Sequence, residues 1–326
     1  MGPNVYVTRD LPEPALPMLR KHCATVDVNP WDRALRREEL LAAVPDRDGI
    51  LCTGMDPMDT EVLDAAGPAL RAIAVCAVGY DNLDLPELTR RGIGASNTPD
   101  VLTETTADLA WALLMAAARR VAEGDRFVRA GRWTGWGPRQ MLGLDVYGKT
   151  LGIVGAGRIG CAVARRARGF GMHILYHNRS PRPQIERELG AERVPLDELL
   201  RRSDFVSIDL PLTPQTVHAI GPRELALMKP SAVLVNTGRG PLVDEAALAD
   251  ALRIGRIAAA GLDVFEREPG VLPELLTLEN VVLTPHVGSG TLETRSRMAE
   301  IAARCLLDMM RGACPPQCLN PAVFGA

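Results

Sequence analysis

Lysine is nearly absent from this sequence. Lys21, Lys149 and Lys229 are the only three, and arginine makes up the rest of the 37 basic residues. Beside abundant alanine, the bias reflects genome composition rather than function. A surplus of either charge is also missing: the formal net charge is −3 and the isoelectric point about 6.0. That removes the electrostatic case for a nucleic-acid partner or an anionic membrane surface. No uncharged apolar run reaches the ~18 residues that mark a bilayer-spanning helix. The opening MGPNVYVTRD has no signal-peptide hydrophobic core, so no membrane association is expected. The seven cysteines are odd in number and dispersed, which fits free thiols in a reducing cytosol and a cytoplasmic location. Cys314 and Cys318 have no second Cys or His pair beside them, and no metal site is expected. There is no internal repeat and no low-complexity stretch.

What is present is a 47% hydrophobic chain of 326 residues, a length that suits two domains. One stretch organises it. Leu151, Ile153 and Val154 lead into Gly155-Ala156-Gly157-Arg158-Ile159-Gly160, a small-residue helical pattern follows, and then HILYHN reads as a second strand. This is G-x-G-x-x-G in a strand–turn–helix context. Gly155 permits the tight turn, Gly157 lets backbone approach a pyrophosphate, and Gly160 lets the helix pack closely on the strand. The helix N-terminus then faces the anion. The pattern predicts a dinucleotide-binding unit.

Before this stretch, short apolar runs alternate with helical segments. Strands are predicted at 4–8, 24–28, 48–53, 72–77 and 92–96, with helices over 11–20 and 61–67. That alternation predicts a parallel α/β unit. Ligands of such sheets sit at the carboxyl ends of strands, which makes Leu51 and Val78-Gly79 candidate contacts. Asn97-Thr98-Pro99 reads as a crossing into a second unit. A long helix is predicted from Glu104 to about Ala130, with Ala107, Ala110, Trp111, Leu114 and Met115 as a core or interface stripe. The segment 131–148, which holds Trp133 and Trp136, reads as an irregular excursion; Trp136 is a candidate for a pocket or an interface. After HILYHN, apolar runs at 204–210, 232–238, 258–265 and 280–286 predict strands buried on both faces. A long helix is expected over 291–311, and the tail from Pro315 reads as extended.

Three polar residues sit at or just beyond the later strand ends: Arg239, Glu268 and His286, spaced by 29 and 18 residues. Successive strand–loop units deliver them to one edge of the sheet, the edge where a nicotinamide ring would lie. Hydride addition to a ketone carbon develops negative charge on oxygen, and a positioned imidazolium can supply the proton. A carboxylate behind that imidazole favours its protonated form and fixes its orientation. Arg239 can clamp a 2-oxo carboxylate or its ketone oxygen.

With GAGRIG, VGYDNLD, TTADLAWALLMAAARR and LTPQT, these residues resemble the D-2-hydroxyacid dehydrogenase family almost end to end, and within it the glyoxylate/hydroxypyruvate reductase branch. The resemblance implies two Rossmann-like α/β domains with parallel sheets: a flavodoxin-like substrate domain from residues 1–98 and 290–326, and an NAD(P)-binding domain over 99–289. It implies that Arg239, Glu268 and His286 are catalytic. It assigns the substrate carboxylate to backbone at Val78 and Gly79 with Leu51 nearby, the pyrophosphate to Ala156–Ile159 (Arg158 among them), and the adenosine to Pro211 and Thr216. Thr237 and Asp263 fall on the nicotinamide side, and Gly238 and Gly288 complete the cofactor set. Trp136 is expected at the substrate pocket, reaching it from a partner subunit. A homodimer is implied, with the helix near Ala107–Ala118 at its interface. Formate dehydrogenases of similar sequence carry Gln where Glu268 stands, which argues against formate. A phosphite dehydrogenase, with a stretch like Gly135-Trp136-Gly137-Pro138-Arg139, and nucleotide-sensing corepressors of this fold stay open as alternatives.

Cofactor choice is read at the end of the second strand of the glycine-rich unit. An NAD-selective site places Asp or Glu there for the ribose 2′-hydroxyl. Here the position is Asn178, followed by Arg179 and Ser180. An amide, a guanidinium and a hydroxyl can all donate to a 2′-phosphate. NADP(H) is therefore the expected cofactor, with NAD(H) a possible substitute.

Overall fold

In the computed structural model, which describes residues 2–325, the chain forms two compact α/β units: Met1–Leu102 with Ser289–Ala326, and Thr103–Gly288. In chain order the elements of the first unit are β1 (Asn4–Val7), α1 (Ala15–His22), β2 (Thr25–Val28), α2 (Arg37–Ala43), β3 (Gly49–Cys52), α3 (Thr60–Ala66), β4 (Ala72–Val75), α4 (Leu85–Arg90) and β5 (Gly94–Ser96). The second unit follows with α5 (Thr103–Ala118), α6 (Val121–Arg129), β6 (Thr150–Val154), α7 (Arg158–Ala167), β7 (His173–His177), α8 (Pro183–Leu189), β8 (Glu192–Arg193), α9 (Leu196–Arg202) and β9 (Phe205–Ile208). It continues through α10 (Pro222–Leu227), β10 (Val233–Asn236), α11 (Glu245–Arg253), β11 (Ala259–Leu262), α12 (Pro273–Leu276) and β12 (Val281–Leu283). The chain returns to the first unit through α13 (Leu292–Met310).

Both sheets are wholly parallel. The first runs β2-β1-β3-β4-β5, the flavodoxin-like doubly wound order. Its central strands β3 and β4 are buried at every position, as their continuous apolar sequences require. One face is covered by α1 and α13, whose Leu306 and Met310 fill the space left by Gly49. The second sheet runs β12-β11-β10-β9-β6-β7-β8. Strand order reverses between β6 and β9, and the glycine-rich turn follows β6 directly. A parallel sheet binds its ligand at such a switch point.

The expected single helix over 104–130 is two helices. Arg120 adopts a left-handed conformation (φ 54°) and ends the run. Its guanidinium reaches forward to Glu123 in the first turn of α6. The apolar stripe of α5 lies inside its own unit: Ala107, Ala110, Trp111 and Leu114 are buried. Trp111 stacks on Phe170 and donates to the Val163 carbonyl. Residues 131–149 contain no helix or strand, as expected, and expose Trp133, Trp136, Leu142 and Tyr147. The first helix starts only at Ala15, after the N-cap Pro14; a proline disfavours helical backbone at the residue before it, here Glu13. The tail is not simply extended. Its last turn is 3₁₀ over Pro321–Phe324, and buried Asn320 accepts from the Ala95 amide and donates to the Ile93 carbonyl.

Candidate active site

At the end of β6 the three glycines have three different surroundings. Gly155 sits at φ +102°, where a side chain would strain the backbone, and a Cβ there would lie 2.7 Å from the Asp209 carbonyl. A Cβ on Gly160 would lie 2.3 Å from the Gly155 oxygen, which forces close approach of α7 to the turn. A Cβ on Gly157 meets nothing within 4 Å. Gly157 is also the N-cap of α7 and provides no side-chain cap, so no cap side chain competes with an anion for the first turn of the helix. A concave backbone cradle that a Cβ would fill fits a dinucleotide pyrophosphate.

Asn178 immediately follows β7, and no carboxylate stands at that strand end. Asn178 Nδ2 donates to the Ser180 carbonyl, and Arg179 and Ser180 are exposed. Two further guanidiniums converge here without a signal that sequence reading used. Arg193 donates to the carbonyls of Asn178 and Arg179. Arg182 Nε donates to the Ala156 carbonyl at 2.7 Å, which ties it to the glycine turn itself. The clue for Arg182 was its place three residues after Arg179, beyond Pro181. In the next loop Thr216 Oγ1 donates to the Pro211 carbonyl and accepts from the Thr213 amide, so its hydroxyl closes the turn that presents Pro211.

The catalytic candidates are brought together by β10, β11 and β12. Asn236, the last residue of β10, shapes the Arg239 turn: its Nδ2 donates to the Arg239 carbonyl and its Oδ1 accepts from the Gly238 amide. Arg239 is half-buried, with Nη1 donating to the Gly238 carbonyl. Glu268 follows β11; its Oε1 accepts from the Phe265 amide and its Oε2 lies 2.7 Å from His286 Nδ1. The side chain of Glu268 is 14% exposed and that of His286 44%. Burial alone would raise the Glu268 carboxyl; the hydrogen bond and charge of His286 outweigh it and hold Glu268 below its ordinary value. His286 lies three residues past β12, which ends at Leu283 rather than at 286 as expected. It is held in a left-handed conformation (φ 53°). Two bonds fix that conformation: the His286 amide donates to the Asp263 carbonyl, and the Val287 amide to Asp263 Oδ1.

Asp263 therefore supports His286 with one carboxylate oxygen and turns the other inward. Oδ2 is buried and makes no hydrogen bond, and neither does the buried Thr237 Oγ1. Burial pushes the Asp263 carboxyl up, against the bonds from Thr284 and Val287. Gly288 lies against Oδ2, where a Cβ would come within 3.3 Å. Buried oxygens without partners are costly; a carboxamide such as that of nicotinamide would satisfy them, so the donor set fits the cofactor. Asp209, at the end of β9, has an enclosed and unpartnered Oδ1 although the residue is partly exposed. Burial pushes its carboxyl up to about 7, against the bond from Ser207. Among the described residues no group of three or more His, Cys, Asp or Glu is placed to hold a metal ion.

In the first unit, Leu51 is buried near the end of β3, and Val78 and Gly79 are half-buried just past β4. Their loop is pinned by Asn97 Nδ2, which donates to the Val78 carbonyl, and by Asn82 Nδ2, which donates to the carbonyls of Thr53 and Asp56. Trp136 is 85% exposed. No helix among the described residues is long and apolar enough to cross a membrane.

Comparison with known proteins follows the same outline. Residues 111–288 match the model of the D-isomer specific 2-hydroxyacid dehydrogenase, NAD binding domain. A glyoxylate reductase of Thermococcus gammatolerans is 54% identical over 99% of this chain and 97% of its own. Among solved structures, a glyoxylate reductase from Paecilomyes thermophila superposes with a TM-score of 0.84 at 38% identity, covering 95% of each chain. An NADPH-dependent glyoxylate/hydroxypyruvate reductase from Sinorhizobium meliloti, solved in complex with NADP and malonate, does so with 0.83 at 38% identity, covering 94% of this chain and 93% of that one.

Proposed function

The chain belongs to the D-isomer-specific 2-hydroxyacid dehydrogenase family, in its glyoxylate reductase branch, and on that premise we propose that it reduces glyoxylate and hydroxypyruvate to glycolate and D-glycerate, preferring NADPH. The observation that carries this reading is the 2.7 Å pair of His286 Nδ1 and Glu268 Oε2, next to the Arg239 turn. The bound cofactor supplies the hydride. The chain's own groups do the rest. Ionised Glu268 holds the proton of His286 on Nδ1, which directs Nε2 toward substrate. As negative charge grows on the carbonyl oxygen, protonated His286 donates from Nε2, and Glu268 stabilises the imidazolium before transfer. Arg239 clamps the 2-oxo acid, and the backbone at Val78 and Gly79, with Leu51, takes the carboxylate.

On the cofactor side, Gly155–Gly160 hold the pyrophosphate, Pro211 and Thr216 flank the adenosine, and Thr237, Gly238, Asp263 and Gly288 surround the nicotinamide. Asn178, Arg179 and Ser180 receive a 2′-phosphate, and Arg182, anchored on the Ala156 carbonyl, adds a second positive group to the same end. The protein acts as a cytoplasmic homodimer that covers the exposed apolar side chains of α6 and the 131–148 excursion, Val128, Trp133 and Leu142 among them. Trp136, 85% exposed, serves a partner's substrate pocket. The test is absorbance at the reduced-cofactor band with a panel of 2-oxo acids and phosphite, each with NADPH and NADH. Turnover of glyoxylate with NADPH is expected. Binding of dinucleotide without turnover of any acid would favour the corepressor-like reading instead.

A further inference from the structure

The Arg239 turn and the Glu268 loop are joined by contacts that serve neither strand pairing nor the hydrophobic core. Glu245 opens α11, directly after the Arg239 turn. Its Oε1 accepts from the Glu266 amide at 2.6 Å, and Glu266 Oε1 accepts from the Glu245 amide at 2.9 Å. The bonds are reciprocal: each residue's side chain closes on the other's backbone. Between them Gly240, next to Arg239, touches the neighbouring loop so closely that a Cβ would lie 1.9 Å from the Phe265 carbonyl carbon. Phe265 in turn donates its amide to Glu268 Oε1. His218 Nε2 lies 3.1 Å from Glu266 Oε1 and adds a third point of attachment.

Glu245 is placed where a helix needs no such residue. Asp244 already caps α11, accepting from the Ala247 amide. A carboxylate in a first turn gains from the helix dipole while exposed to water, yet Glu245 is only 7% exposed. Burial pushes its carboxyl up, the bond from Glu266 opposes that, and the charges of Glu266 and Glu268 push further up, with Arg267 the countering cation. A buried acid among acids costs stability. Its bonds to the Glu268 loop are what the placement gains.

We propose that Glu245 is a positioning residue for the Glu268–His286 pair: its reciprocal clamp with Glu266 fixes the loop that carries Glu268 against the turn that carries Arg239. This rests on the catalytic reading above. A loop released by even ~1 Å would misplace Glu268, a displacement of the size that costs about 10²-fold in rate. The atom that matters is the acceptor Oε1, so Glu245→Gln, which retains a carbonyl oxygen there, is the rescuing variant.

Two readouts test it. In Glu245→Ala, kcat for glyoxylate is expected to fall about 10–10²-fold with dinucleotide Kd unchanged, and the alkaline limb of the rate profile to move down by about one pH unit, because a carboxylate held beside an imidazole favours its protonated form. Glu245→Gln should keep both near wild type. The second readout needs no substrate. At alkaline pH the ¹⁵N shifts of the His286 ring, assigned with His286→Asn, should report the Nδ1–H tautomer in wild type and Glu245→Gln, and a mixture with Nε2–H in Glu245→Ala. If wild type fails to turn over any 2-oxo acid, the functional reading fails while the tautomer still decides the clamp. An unmoved tautomer and rate profile in Glu245→Ala would overturn the proposal, as would a Glu245→Gln variant as impaired as Glu245→Ala. Should Glu245→Ala not fold, Glu245→Asp, which withdraws the acceptor by one methylene, is read the same way.

Discussion

At the β6–α7 turn the second unit offers backbone: a glycine at +102°, open space over Gly157, and the uncapped amides of a helix. At the ends of β10, β11 and β12 it offers side chains: Arg239 and Glu268, held by bonds within their own loops, and His286, held by the Asp263 loop. The two regions share one sheet and one open edge. A backbone site tolerates any side chain that does not occupy its space, and it fails when that space is filled. A side-chain site fails one residue at a time, and its central pair, Glu268 and His286, joins residues 18 apart in sequence. Cofactor binding and turnover should therefore separate cleanly under mutation.

Filling the backbone site should have the largest effect on cofactor affinity. Gly157 has extended dihedrals that any residue adopts and no neighbour within 4 Å. Gly157→Val is expected to fold as wild type while dinucleotide affinity falls about 10²-fold, since it loses close phosphate–amide contact, one or two charge-assisted bonds at about 1.5–3 kcal/mol each. Titration of intrinsic fluorescence with NADPH checks it, and unchanged affinity would move the pyrophosphate elsewhere. The side-chain edge should answer differently. Arg239→Lys keeps the charge and loses the planar fork. Here KM for glyoxylate should rise and kcat fall, each by about tenfold, at constant NADPH Kd; steady-state kinetics with unaltered constants would place the clamp on another residue.

The contrast also explains what could be read without a structure. GAGRIG is six contiguous residues whose tight turn at Gly155 and close packing at Gly160 follow from local backbone geometry, and Asn178 falls immediately after β7 as counting from the glycines requires. The parallel character of the sheets was legible because continuous apolar runs alternate with helices; their strand order was not read from the runs. The edge formed by Arg239, Glu268 and His286 could be placed at strand ends, but His286 lies three residues beyond β12, because its position is fixed by Asp263 rather than by strand pairing. The break at Arg120 was invisible because the sequence there is uniformly helix-forming, and a left-handed arginine leaves no compositional mark. The bond of Arg182 to the glycine turn and the Glu245–Glu266 clamp are contacts over 26 and 21 residues; only the place of Arg182 near Arg179 left a local mark.

Smaller effects sharpen the boundary between the two regions. Asn178→Asp puts a carboxylate where a 2′-phosphate would sit, and Arg179→Ala removes a donor. Each should move kcat/KM toward NADH by about tenfold, the scale of one charge-assisted bond, measured as the ratio for the two cofactors. A wild type that prefers NADH would reverse the assignment.

The smallest effect concerns stability. Asp209 has its carboxyl raised from the unfolded value to about 7 by burial. Such a group costs the fold nothing below its unfolded value; the cost appears as pH rises above that value and is complete above about 7. Asp209→Asn removes the cost. The variant should melt at about 2–4 °C higher than wild type per kcal/mol regained at pH 8, with little or no gain at pH 4. Equal gains at both pH values would mean that the carboxyl is not titrating across that interval.

The separation of binding from chemistry is tested most directly at His286. Wild type and His286→Ala are compared by NADPH titration and by turnover of glyoxylate under saturating cofactor. Loss of a general acid lowers turnover by about 10²–10⁴-fold, and NADPH Kd is predicted to stay within about twofold because no cofactor group depends on that imidazole. Turnover near the wild-type rate in His286→Ala would contradict the account.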